Sequence, residues 1–286
     1  MLGKALQLAA AGNSSADEIV ADYRDADEYS HDAFDTVGAT STVSAVAISR
    51  DGTQFYHVDS SENLEQYTLS TPYDITSHGS QVATKNLSTL TSSANTHASS
   101  LFFKPDGTRL FVSDATDNAV YEYSLSTAWS ISTLSYVGSH SVSDNVSNFR
   151  GIYFSPDGTK MFGVSNGGRR AYRWDLSTAW DISTESFHSQ SPSTRLEFNE
   201  RAPVAFWAND DGTIAYLLGA YLDAIWSFDL DPAWDMSDVS AAGMNSSFSV
   251  RSQESLPQDM CFSADGRYIY LGGANDQGVD AWDRGT

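Results

Sequence analysis

Short apolar runs recur along this chain, each broken by turn residues. Five times an apolar run leads into an Asp-Gly pair, and a second run leads out. The leading runs are "AVAIS", "SLFFK", "GIYFS", "VAFWA" and "DMCFS". The pairs stand at Asp51-Gly52, Asp106-Gly107, Asp157-Gly158, Asp211-Gly212 and Asp265-Gly266, spaced by 55, 51, 54 and 54 residues. Two such runs joined through Asp-Gly predict a β-hairpin, because Gly supplies the positive φ that a tight turn needs. A third run follows in each unit with alternating apolar and polar positions, as in a half-buried strand. Its aromatic residues, Tyr67, Tyr123, Trp174, Phe228 and Trp282, fall 16 or 17 residues after the Asp of their turn. A fourth, less regular run contains Tyr136, Phe187 and Phe248.

Four strands, here A to D, in a unit of about 50 residues predict an all-β, five-bladed β-propeller of antiparallel sheets. The last unit stops after strand C. Phe34 lies 17 residues before Asp51, as Phe248 lies 17 before Asp265. Residues Phe34–Gly38 are therefore expected to supply the missing strand D and close the ring. That divides the chain into residues 1–32, outside the repeat, and a propeller over 33–286.

The connection from C to D is nearly copied: "LSTPYDITS", "LSTAWSIST", "LSTAWDIST" and "LDPAWDMSD". Each carries one aromatic, Tyr73, Trp129, Trp180 or Trp234. These rings are expected to pack between blades, with a ligand-binding ring of aromatics as the other reading.

Charge narrows the partners. The net charge is −21, with 37 acidic residues against 16 basic ones. A basic nucleic-acid footprint and an anionic membrane surface are both disfavoured. No apolar run approaches the ~20 residues of a membrane-spanning helix, so membrane insertion is not expected. The single cysteine, Cys261, excludes an intrachain disulfide and reads as a small core residue. Residues 1–32 open with "MLGKALQLAAAGN", read as a short apolar helix. Leu2, Leu6 and Leu8 on it need an apolar partner, either the propeller itself or a second protein. The segment also has the outline of a short signal peptide, which keeps a secreted location as the alternative.

The opening "MLGKALQLAAAGN" resembles the first residues of structural proteins of tailed phages, especially marine ones. The unit "FSPDGTKMFGVS…AYRWDLSTAWDIST" resembles propeller repeats of virion and tail proteins of that kind. The resemblance implies a non-enzymatic virion protein, a tail, fibre-like or head-decoration component present in multiple copies. Residues 1–32 would attach it to another virion protein, and the propeller would bind a protein, a host-surface glycan or a receptor. A secreted lectin-like module is the second reading and a glycoside hydrolase the third.

Five-bladed propellers also host glycosidases, which need two carboxylates facing the substrate. No repeated inward pair is legible at the starts of the A strands. Glu200 and Asp259 lie nearby but differ in phase. The six histidines show no metal-ligand spacing, and no cofactor is expected. The B–C turns "DSSEN", "SDATDN", "SNGG", "GAYLD" and "ANDQG" carry oxygen ligands compatible with calcium, and equally with ordinary hairpin turns. The D–A connections vary in length and charge over a constant frame, which suits a recognition surface as well as it suits solvated loops. Arg150, Arg195, Glu200, Arg201 and Arg251 would concentrate charge there.

Overall fold

The computed structural model describes residues 29–39, 41–90, 97–275 and 277–285. Twenty strands form five antiparallel sheets of four, a five-bladed β-propeller. The chain enters with β1 (Ser30–Asp35). Blade 1 is β2 (Val43–Ile48), β3 (Gln54–Asp59), β4 (Asn63–Leu69) and β5 (His78–Asn86). Blade 2 is β6 (Ala98–Phe103), β7 (Arg109–Asp114), β8 (Ala119–Leu125) and β9 (Leu134–Ser141). Blade 3 is β10 (Phe149–Phe154), β11 (Lys160–Ser165), β12 (Arg170–Leu176) and β13 (Glu185–Gln190). Blade 4 is β14 (Pro203–Ala208), β15 (Ile214–Gly219), β16 (Ala224–Asp229) and β17 (Met244–Ser249). Blade 5 is β18 (Pro257–Phe262), β19 (Tyr268–Gly273) and β20 (Val279–Asp283), completed by β1.

The A–B turns share one construction. In each, the Gly N–H donates to the carbonyl three residues back, as from Gly52 to Ser49 at 2.8 Å. The Asp51 carboxylate accepts from the Thr53 N–H at 3.0 Å and from the Ser49 hydroxyl at 2.6 Å. The Ser49 contact, with help from Thr53, holds the Asp51 carboxyl below its ordinary pKa. Gly52, Gly107, Gly158, Gly212 and Gly266 all have φ between 67° and 72°.

The near-copied C–D stretch also resolves into one local device. Trp180 takes a left-handed φ of 65°, and Tyr73, Trp129 and Trp234 do the same. The Asp181 carboxylate then caps a single 3-10 turn, Ile182–Thr184, by accepting from the Ser183 N–H, while Ile182 is buried. The left-handed kink folds each aromatic ring back over the Gly of its own A–B turn. A Cβ on Gly158 would lie 2.2 Å from the Trp180 ring, so only Gly fits. The rings also meet the preceding blade, as Trp234 stacks on Phe162 at 5.3 Å and Tyr73 on Tyr268 at 6.2 Å. Each aromatic's carbonyl accepts a hydrogen bond from that blade: from the hydroxyls of Tyr270 (to Tyr73) and Tyr56 (to Trp129), both at 2.6 Å, and from the guanidinium groups of Arg109 (to Trp180) and Arg173 (to Trp234).

Closure follows the expected topology with a shifted strand. β1 pairs antiparallel with β20, with Ser30 opposite Asp283 and Phe34 opposite Asp280. The strand is Ser30–Asp35, where Phe34–Gly38 was expected. It ends there because Val37, at φ 43°, and Gly38 turn the chain, with the Val37 N–H held by the Asp35 carboxylate at 2.8 Å. Its start lies earlier than the boundary at residue 33, since Tyr29 is already buried. In four blades the backbone N–H of the C–D aromatic donates to its turn Gly, as from Trp180 to Gly158 at 2.9 Å. Blade 5 has no C–D turn. There the Tyr29 hydroxyl donates to the Gly266 carbonyl instead, and the ring packs on Phe248 and Phe262. Leu2, Leu6 and Leu8 lie outside the described residues.

Candidate functional site

The A strands β2, β6, β10, β14 and β18 pack side by side around the ring axis. Each has a bulge near its start, at Ser44, Ser99, Gly151, Val204 or Gln258. Gly151 is required there, because a Cβ would lie 2.7 Å from the Ala205 Cα of the next blade. At the B–C end of the axis, the Arg150 guanidinium crosses from blade 3 and donates to the Gln258 side-chain amide oxygen (Oε1) of blade 5 at 3.1 Å. Asp259, fully buried, accepts from the Val46 N–H of blade 1 at 3.1 Å. Burial pushes its carboxyl well above the usual range. This acid knits the inner strand edges together.

The B–C turns and D–A connections form one face, as their hydrogen bonds show: Thr194 donates to Arg169, Ala220 to Ala202, Val250 to Asp223 and Ala274 to Leu256. Six of the twelve arginines gather at this end on blades 3 to 5: Arg150, Arg169, Arg170, Arg195, Arg201 and Arg251. Arg195, in the short helix Thr194–Phe198, is exposed. Arg201 lies over the exposed Tyr221 ring at 4.6 Å. Arg251 is exposed, with its Nε 3.7 Å from the buried Asp223. Leu256 is exposed beside them.

Glu200 does not belong to that surface. It is fully buried. Its two oxygens accept from the N–H groups of Ala202 at 2.5 Å, Tyr221 at 3.2 Å and Leu222 at 3.1 Å. Burial raises its carboxyl pKa. Glu254 repeats the arrangement in blade 5, accepting from Leu256 and Asn275. Both stand three residues before the Pro that opens the next A strand, Pro203 or Pro257. Both fill space left by a glycine, Gly219 or Gly273. That paired spacing, Glu-x-x-Pro with Gly at the end of strand B, was the available sequence signal. Glu200 and Glu254 are thus turned inward onto backbone, while Arg195, Arg201 and Arg251 are exposed; Arg150 faces the axis instead and is only half-exposed. Among the described residues, no group of three His, Cys, Asp or Glu side chains is placed to hold a metal ion.

The other face carries the A–B and C–D turns. At its centre a cavity of about 140 Å³ opens along the axis. One position, four residues before each turn Asp, supplies Ala47, Phe102, Tyr153, Trp207 and Cys261, and this ring of residues lines the cavity together with Ile48 and Met260. Blades 2 to 4 give aromatics, with Phe102 and Tyr153 at 5.5 Å and Tyr153 and Trp207 at 5.9 Å. Blades 5 and 1 give Cys261 and Ala47, and the small side chains leave the space. At the mouth, Arg50 of blade 1 approaches Asp210 of blade 4 at 3.9 Å, both well exposed. Cys261 is half-buried, and burial raises its thiol pKa well above the ordinary value.

No protein-family model matches the chain, and no curated protein matches its sequence. Among solved structures, the chain is similar to a functionally unknown protein from Desulfotomaculum acetoxidans, with a TM-score of 0.51 and 14% identity. The match covers 82% of this chain and 66% of that one. This likeness concerns the fold alone.

Proposed function

We propose that this protein is a non-catalytic recognition module that binds an anionic partner through the B–C face of blades 3 to 5. The observation that carries this reading is charge segregation. In a chain of net charge −21, Arg195, Arg201 and Arg251 are exposed on one sector while Glu200, Asp223 and Glu254 beside them are buried. Arginine and tyrosine are the residues that anchor recognition surfaces, and Arg201 over Tyr221 presents both. Glu200 has both oxygens held by backbone N–H groups of its own loops, and Asp259 accepts through Oδ2 from the Val46 N–H at the inner strands, so the two stand singly in structural settings rather than as a glycosidase's paired carboxyls.

The finer reading is a virion component, attached through the segment before Tyr29 and meeting an acidic host-surface glycan through this sector. The sequence resemblance supports the attachment, and the arginine sector supports the glycan. Binding of the full chain to an array of carboxylated and sulfated glycans tests the recognition. Arg201→Ala with Arg251→Ala is expected to weaken capture about tenfold and flatten its salt dependence. Capture unaffected by both substitutions, or confined to neutral glycans, contradicts the proposal.

A further inference from the structure

The axial cavity lies on the face opposite the arginine sector and is a separate feature. The geometry points to it as a site for a small aromatic zwitterion, one aromatic group (a phenyl, phenol or indole) bearing a carboxylate and an ammonium group.

Size sets the first limit. The cavity is about 140 Å³, and an apolar cavity of about 150 Å³ takes up one benzene. One ring therefore fits and a chain of rings does not. The wall sets the second. It is built from Ile48, Phe102, Tyr153, Trp207, Met260 and Cys261, and three of these offer aromatic faces and edges to a planar guest.

Polar groups set the third limit. The nearby hydroxyls of Ser49 and Ser263 are committed to the turn carboxylates of Asp51 and Asp265, at 2.6 and 2.5 Å. They also accept from the Gln54 and Tyr268 N–H groups, each at 2.9 Å. A sugar ring pressed into this wall would leave buried hydroxyls without partners, which is costly. The charged groups at the mouth are Arg50 and Asp210, of opposite sign and 3.9 Å apart. That distance is long for a pair, and both side chains are more than half exposed. A carboxylate on Arg50 and an ammonium on Asp210 would satisfy both while the ring fills the space beneath. Ring-only guests would gain the wall but not the mouth.

Cys261 is the single cysteine of the chain and lines the wall, so its reaction with a small thiol reagent reports whether the cavity is filled. The test titrates the full-length protein with L-tryptophan, L-tyrosine and L-phenylalanine. Indole, phenol and galactose serve as comparison probes. Calorimetry and the rate of Cys261 modification by methyl methanethiosulfonate are read in parallel. At least one of the three amino acids is expected to bind and to slow modification severalfold. Arg50→Gln and Asp210→Asn, both at exposed positions, are each expected to weaken binding about three- to fivefold, as exposed charge contacts do. Ala47→Phe should abolish it by filling the small side of the cavity, with thermal melting used to confirm the fold. No heat and no protection with about 10 mM L-tryptophan or L-phenylalanine, or with saturating L-tyrosine, overturns the assignment. So does indole binding as tightly as tryptophan, or binding of galactose alone. Because neither Arg201 nor Arg251 lines this cavity, loss of glycan capture and loss of amino-acid binding are distinguishable.

Discussion

Glu62 shows how single carboxyl groups hold adjacent blades in register. It sits in the B–C turn of blade 1 at a left-handed φ of 64°, and its Oε2 accepts from the Ala98 N–H of blade 2 at 2.9 Å. Burial, with Asp114 and Asp59 nearby, pushes its pKa up to about 7. A carboxyl raised in the folded state favours folding when protonated. Its contribution is therefore fully present below the unfolded value of about 4.3 and declines as pH rises to 7. Because the group is partly exposed, the loss is about 1 kcal/mol after solvent screening. Melting curves between pH 4.5 and 8 check this. Glu62→Gln should gain stability relative to the parent as pH rises through that window. Parallel pH profiles for the two proteins would contradict the assignment.

At the scale of elements, the A–B turn and the C–D aromatic act as one unit. Gly158 is strained for any side chain by its φ of 69° and blocked by Trp180. Gly158→Ala is expected to cost about 2–4 kcal/mol, and Trp180→Ala about 3 kcal/mol. Since both remove the same contact, the double variant should cost clearly less than the sum. Urea denaturation of the three proteins measures this, and additive costs would show that the turn and ring are independent. Hairpins, turns and the aromatic of each C–D connection were legible because Asp-Gly and "LSTAWDIST" are local chemistry repeated in phase. The stacking of each ring on its turn Gly was not, because the kink that folds Trp180 back is a φ choice that no hydrophobic pattern encodes. Glu200 was misplaced for a related reason. Acidic residues in a variable loop read as solvated, and only the distant Gly219 leaves room to bury this one. The axial cavity was hidden in plain repeat: the position four before each turn Asp is apolar in all five blades, and only the ring arrangement makes its change from Trp207 to Ala47 into an open space.

At the scale of the molecule, the ring depends on a contact between residues about 250 apart in sequence, Ser30 with Asp283. β1 adds a fourth strand to blade 5, and His31 reaches the buried Asp280 at 2.7 Å. Tyr29 adds the hydrogen bond that a C–D aromatic makes in every other blade. The missing fifth C–D copy pointed to this seam, while Tyr29 itself escaped notice because it belongs to no repeat. Removing β1 would bare an edge of β20 and the apolar side chains beneath it. The most direct measurement is thermal unfolding of two truncated proteins, one beginning at Tyr29 and one at Val37. The first should melt within a few degrees of the full chain. The second should lose more than 10 °C or fail to fold cooperatively, because closure is lost for the whole ring. If the protein beginning at Val37 melts with the full chain, β1 does not close the propeller and the account is wrong.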